Sequence, residues 1–499
     1  MTDVAVVGAG AVGLTLAGRL AQHGADVTLF EASDARERIG SRAICMQRET
    51  LEIWARLGIG EAVAELGIQW RVGRTYFRGR ELFSVELPGA SDEHFPPFVN
   101  ISQSEVEERL TDRVRSLGVE LRHGHELIGL VHDHADVTAT FATESGEVTY
   151  RSSFLVGTDG AHSAVRHAVG IAFDGYTFDD RFLIADIRAE LPFTNERHFH
   201  FDPPWNPGRQ VLIHPQPDGI WRIDWQVPPE TDADVERANG GLDRRIRAVI
   251  GEATPYELLW VTGYRFSQRV ADAFRAARVF LAGDAAHVMS PFGARGLNSG
   301  IADAENLAWK LASVVRGDAP PALLDTYEAE RRPAALANLA ATEATMRFMA
   351  PHGVLRRSLR DLVLRLAPRF GWFRRQVDSG RLGEPAAYAS SSIVSEDPGG
   401  RNAPPRHGGV APDAAMPGGG RLRDRIGGGY VVVVARPTSL HLPIVIVGPD
   451  SVYGDECAWL LRPDGYVADS CPLDRAGLHA WRGLWITDSP ASEFVDKGA

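Results

Sequence analysis

The stretch VFLAGDAAHVMSPFGARGLNSG, from Val279 to Gly300, ends an apolar run on an acid and follows it with Gly293, Gly296 and Gly300. An Asp at the carboxyl edge of a strand, here Asp284, suits neutral hydroxyl groups better than phosphate, because two anions at one spot repel. The glycines keep the backbone close to something flat or phosphorylated. A helix starting near Asn298 would aim the positive end of its dipole at a ring that gains negative charge on reduction. Those residue types together read a polyol chain joined to a redox-active ring.

The chain opens with a second unit of this kind, DVAVVGAGAVGLTLAGRLAQHGADVTLFE. Its pattern predicts a strand from Val4 to Val7, a tight turn, a helix to about His23 and a second strand ending at Glu31. Gly8 permits the turn, Gly10 lets a pyrophosphate approach the backbone, and Gly13 lets the helix lie against the strand. Glu31 falls where a carboxylate accepts hydrogen bonds from an adenosine ribose, and it disfavours a 2'-phosphate there. This unit alone does not separate FAD from NAD. A ligand with adenosine at one end and a ribityl-linked isoalloxazine at the other joins both segments, and only FAD has the ribityl chain.

Between these units lies a largely β region, from Gly170 to about Phe266. Alternation in VLIHPQ and WRIDWQV places Leu212 with His214, and Arg222 with Asp224, on common faces, while Trp221, Ile223 and Trp225 share the opposite, core-like one. His214 or Arg222 could accept a proton from, or pair with, a phenolic oxygen, although such residues in strands more often serve packing. His198 and His200 alternate as metal ligands do, but no acid or thiol cluster accompanies them, so no metal is expected.

The elements that must hold these residues follow from the rest of the chain. At 499 residues it is long enough for two or three domains. A helix carrying Leu51, Trp54 and Leu57 inward follows the first unit, and RTYFRGRELFSVELPG reads as a hairpin. The net charge of −12 and the lack of a basic run argue against nucleic acid as partner. Three scattered cysteines, Cys45, Cys457 and Cys471, form no CxxC pair and fit a reducing cytoplasm. The N-terminus shows no leader, and no apolar run reaches bilayer length, so no membrane association is expected. Residues 395–420 are rich in Pro and Gly, and beyond them short strands predict a small further domain.

Three segments in this order, GAGAVG with Glu31, GTDGAHSAVR, and GDAAHVMSPFGARGLNSG, make the chain resemble the FAD-dependent aromatic hydroxylases. These are single-component flavoprotein monooxygenases, and the likeness is to the branch of phenol, 3-(3-hydroxyphenyl)propionate and polyketide hydroxylases. The resemblance implies an α/β fold: a Rossmann-like FAD-binding domain (1–75, 100–170 and 267–350) interrupted by a β-rich substrate domain (76–99 and 171–266). A helical connection (351–394) would lead to a linker and thioredoxin-like C-terminal domain (395–499) without CxxC, serving packing or formation of a homodimer. It further implies Asp284 on the ribityl hydroxyls, Pro291 beside the oxygen-reactive flavin carbon, and the backbone of Gly296, Leu297 and Asn298 at the pyrimidine edge. Arg42 and Gln103 match positions that reach the cofactor, and Asp159 and Gly160 belong to a motif serving flavin and nicotinamide nucleotide. GARG replaces the commoner GGQG, placing Arg295 toward either the ring or solvent.

The reaction so implied is hydroxylation of a phenolic substrate by dioxygen, with NADH or NADPH as transient co-substrate and a flavin C4a-hydroperoxide as oxidant. The protein keeps the site dry and holds the ring carbon in place, with His214, Arg222 and Pro291 as candidate catalytic residues. A related oxidase or epoxidase, or a flavin protein that binds an aromatic intermediate without turnover, is the alternative. Halogenation is disfavoured, since the one mid-chain lysine, Lys310, falls on the helix after the flavin loop.

Overall fold

The computed structural model describes residues 1–34, 43–86, 94–193, 195–291, 293–349, 353–366, 385–397, 405–435, 443–448 and 450–473. Two eight-stranded sheets carry the site. In the first, Val279–Leu281, Gly146–Gly157, Thr2–Val7, Val27–Phe30 and Glu120–Arg122 lie side by side and parallel, with Val137–Thr143 and Glu126–His132 added antiparallel. Parallel strands need helical cover on both faces, and these are accordingly apolar: Val4, Val6, Leu29, Leu155, Val156 and Phe280 are sealed from water. The helices Ala11–Gln22 and Arg295–Val315 pack on each other against this sheet.

Register matters more here than strand count. Phe30 pairs with Val7, Val7 with Gly157, and Gly157 with Leu281, so four strands end on one line. The loops that begin with Glu31, Gly8, Thr158 and Ala282 therefore leave the sheet side by side, although the chain takes most of its length to supply them.

The second sheet runs in the order His287–Val288, Glu257–Ala271, Phe173–Arg188, Ile220–Val227, Gln210–Pro215, Arg197–Phe201, Val72–Phe77 and Arg80–Glu86. One face buries Trp221, Ile223 and Trp225 against Leu242, Ile246 and Ile250 of the helix Gly241–Ile250. Each such side chain contributes roughly 1.5–3 kcal/mol. That helix and Ala233–Ala238 fall in the region whose sequence reads as largely β. The strand Glu257–Ala271 also runs past Phe266, because its last residues pair with His287–Val288, just beyond Asp284. The two sheets are thus stitched together at the site.

The predicted hairpin is formed by Val72–Phe77 and Arg80–Glu86, and Leu51, Trp54 and Leu57 are fully buried on the helix Arg48–Leu57. A four-stranded sheet (Ile444–Ile446, Val431–Val434, Cys457–Leu461, Val467–Pro472) closes the described chain. It docks through buried charge: Arg462 donates to both oxygens of Glu330 at 2.7 and 2.9 Å, and the Tyr466 hydroxyl donates to Glu49 at 2.9 Å. Among the described residues no helix is long and apolar enough to cross a membrane.

Candidate functional site

The carboxyl ends of the parallel strands and the second face of the other sheet enclose one cavity of about 860 Å³. Of the residues singled out in the sequence, Gly10, Gln103, Gly160, His214, Arg222, Asp284, Pro291, Gly296, Leu297 and Asn298 border it. Gly8, Gly13, Glu31 and Asp159 are not among its lining residues, and Arg42 lies outside the described residues.

The three glycines of the first turn divide their work. Gly8 has φ +105°, and a Cβ there would lie 2.6 Å from the Thr158 carbonyl oxygen. A Cβ on Gly13 would meet the Gly8 oxygen at 2.0 Å, so these two serve the contact of turn, helix and sheet. Beside Gly10 the nearest atom would be a Glu107 oxygen at 3.8 Å, and the open side is the cavity. A helix N-terminus facing open space attracts an anion. Glu31 spans this turn, accepting from the amides of Ala9 at 2.8 Å and Ser33 at 3.1 Å. Glu107, missed in the sequence, accepts from the Ala11 amide at 3.0 Å and from Gln103 at 2.8 Å. Its only signal was its place one helical turn after Gln103.

Asp284 is exposed on the short turn Gly283–Ala285 and faces the cavity. Beneath it lies a buried carboxylate that sequence reading overlooked. Asp303 accepts from the Gly283 amide at 3.0 Å, from His287 at 2.7 Å and from Arg331 at 2.7 Å. Burial alone would raise its carboxyl, but His287 and Arg331 hold it below the ordinary range. Arg331 also donates to the Ser299 carbonyl at 3.1 Å and to the Tyr388 hydroxyl at 2.6 Å. The signal that could have found it is YEAERRP, where a helix turns charged residues inward.

The Asn298 side chain ties the start of the helix Arg295–Val315 to the strand Cys45–Gln47 and the first turn of the helix Arg48–Leu57. It accepts from the Gln47 amide at 2.9 Å and from Thr50 at 2.7 Å, and donates to the Cys45 carbonyl at 3.0 Å. Ala294 ahead of it has φ +52°, a conformation that suits glycine. Arg295 hydrogen-bonds Asn338 on the helix Asp325–Met349 and does not border the cavity. Asp159 is turned back into its own loop, accepting from Ser163 at 2.5 Å and the Val165 amide at 3.0 Å, and burial raises its carboxyl.

On the opposite wall His214 and Arg222 pair across adjacent strands. Arg222 grips Asp186 with two donors, at 2.8 and 2.7 Å, so much of its charge is already answered by protein. Burial, with Arg197 and Arg222 nearby, lowers His214 to about 3. It stays neutral at physiological pH and is a poor proton acceptor there, which weakens the role the sequence suggested. Asp224, noticed only as a neighbour of Arg222, faces the same cavity.

Residues 1–342 match the FAD binding domain family model. The chain is 36% identical over 372 residues to rifampicin monooxygenase of Streptomyces venezuelae, covering 73% of this chain and 75% of that protein. It is 32% identical over 508 residues to dialkyldecalin synthase of Streptomyces rugosporus, covering 97% and 99%.

The chain belongs to the FAD-dependent aromatic hydroxylase family.

Its backbone superposes on aklavinone-11 hydroxylase, solved with FAD and aklavinone, at a TM-score of 0.80 with 26% identity over 97% of this chain and 98% of that one. FAD is the cofactor of the family, and the cradle fits it: an open helix N-terminus at Gly10, an acid behind the turn at Glu31, and an exposed acid at Asp284. The chain is an FAD-dependent monooxygenase of this family.

Proposed function

We propose that the protein hydroxylates a phenolic aromatic compound, using NADH or NADPH as a diffusing reductant and dioxygen as oxidant. The observation that carries this reading is the single cavity, which joins the dinucleotide cradle to a wall bearing polar side chains among apolar ones. Gly10 and the helix behind it would hold the pyrophosphate, Glu31 the adenosine ribose, and Asp284 the ribityl hydroxyls. The backbone of Gly296, Leu297 and Asn298 would meet the pyrimidine edge, with Pro291 across the ring. When bound, the flavin supplies the activation of dioxygen, which amino-acid side chains do not.

The chain's own part is binding, orientation and exclusion of water. Phe182, Phe199, Phe266 and Leu212 border the cavity and give a flat apolar ring its surface. Asn298 ties the start of the helix Arg295–Val315 to the strand Cys45–Gln47 and the first turn of the helix Arg48–Leu57, and these hydrogen bonds would fix the backbone against which the ring would lie.

The test is NADH and NADPH oxidation by the purified yellow protein against a panel of phenols, with isotopically labelled dioxygen. Substrate-stimulated oxidation and a product one labelled oxygen heavier support the reading. Reductant consumption that yields only hydrogen peroxide, or no consumption with any phenol that binds, refutes it.

A further inference from the structure

One row of side chains crosses six strands of the second sheet on its cavity side. Thr75 pairs with Phe199, Phe199 with Leu212, Leu212 with Asp224, Asp224 with Ile184, and Ile184 with Thr262. All six border the cavity. Five are apolar or carry a single hydroxyl, and the one ionisable member stands between a leucine and an isoleucine.

That acid has no visible reason to be there on structural grounds. Its Oδ1 is withdrawn from water and meets no hydrogen-bond partner, while Arg222 beside it is committed to Asp186. A carboxyl in such a place costs stability unless something completes it. His214, diagonal to it on the next strand, likewise keeps a buried Nδ1 without a partner. Two unanswered polar atoms on one wall of a cavity mark a place where a ligand supplies the missing groups.

Resting on the reading above, we propose that Asp224 is the acceptor that recognises a hydroxyl group on the aromatic substrate. Its carboxylate takes the hydroxyl's hydrogen bond and then its proton: the ring O–H bond breaks as a carboxyl O–H bond forms, and the electron pair stays on the ring oxygen. The ring is thereby enriched in electrons, and the proton returns to that oxygen before product leaves. Nothing but the substrate and the side chain takes part in the transfer. The charged and titratable groups around Asp224 are Arg222 on its own strand, Asp186 beyond it, His214 and Arg197 on the strands to one side, Tyr264 on the other, and Cys45 from the facing strand Cys45–Gln47. Burial, against the pull of Arg222, raises the Asp224 carboxyl to about 7, close to neutral pH, where such a group can both take and return a proton.

The experiment compares holoenzyme carrying Asp224, Asp224→Asn or Asp224→Leu. A panel of simple phenols, hydroxynaphthoquinones and hydroxyanthraquinones is paired with the methyl ether of each, and binding is read from perturbation of the bound-flavin absorption without any reductant. The native protein should bind at least one hydroxyarene roughly 10- to 100-fold more tightly than its ether, the value of a charge-assisted hydrogen bond. Both variants should lose that preference while binding the ether as before. Asp224→Leu, which continues the apolar row, should melt higher than the native protein, whereas an acid kept for the fold would leave it melting lower. Equal affinity for alcohol and ether, retention of the preference in Asp224→Asn, failure to bind any member of the panel, or a lower melting point for Asp224→Leu overturns the proposal. Because turnover is not read, a protein that prefers hydroxyarenes but inserts no oxygen keeps Asp224 and discards hydroxylation. One that hydroxylates without the preference does the reverse.

Discussion

Asp303 beneath the cofactor cradle is sealed from water, Asp224 in the facing wall is half-buried with its Oδ1 withdrawn from water, and the protein treats the two carboxylates in opposite ways. The first receives an amide, an imidazole and a guanidinium, and its carboxyl is held low. The second receives no protein hydrogen bond at Oδ1, and its carboxyl is pushed up to about 7. A carboxylate whose partners are all supplied by the chain fixes geometry, here that of the Asp284 turn. One left incomplete stores a preference for whatever arrives to complete it.

The contrast breaks most visibly at Asp303. Asp303→Ala strands Arg331 and His287 in the interior, and the apoprotein should lose about 3–5 kcal/mol in a denaturant melt, together with most of its flavin content. If the loss stays under about 1 kcal/mol, the network is not what holds the turn. Next in size, Asp284→Ala removes a carboxylate that faces the cavity. FAD titration of the apoprotein should show affinity weakened by about 10- to 100-fold. Full retention of yellow colour through dialysis would contradict the ribityl assignment.

The facing wall should show itself through pH. The Asp224 carboxyl titrates higher in the folded than in the unfolded chain, so its contribution favours folding most below about pH 4 and fades as pH rises to about 7. Asp224→Asn should therefore gain on the native protein progressively across that window, by roughly 1–3 kcal/mol, and level off above it. His214 is lowered to about 3, so its contribution is intact above about pH 6.5 and is lost as pH falls toward 3. His214→Gln should flatten that acid limb in thermal melts; parallel limbs in mutant and native protein would reject the assignment. The smallest effect belongs to Ala294, whose φ of +52° costs it what glycine would not suffer. Ala294→Gly should stabilise by about 1 kcal/mol or less.

The cradle was largely legible in the sequence because its requirements are local. Gly8 is demanded by its positive φ and Gly13 by the Gly8 oxygen within the same turn, and Asp284 stands just past the end of a recognisable strand. Asp303 and Arg331 escaped because helix periodicity hides a charge turned inward among alanines, and nothing nearby in the chain names its partner. The wall was half legible. Alternation put Arg222 with Asp224 and set the tryptophans opposite, as found, but whether a strand residue is engaged depends on the next strand. Asp186, which occupies Arg222, lies far back in the chain. The helices Ala233–Ala238 and Gly241–Ile250 were lost in a region whose strands dominate the pattern.

The common finishing line of Phe30, Val7, Gly157 and Leu281 has a temporal consequence. A ribosome adding about 5–20 residues each second exposes the turn from Gly8 to Gly13 tens of seconds before the strand that leads to Asp284 emerges. Until then the newborn chain presents an apolar parallel edge at Leu155–Gly157 with no neighbour to cover it, so chaperone engagement should peak in that interval, and free FAD can help only after it has passed.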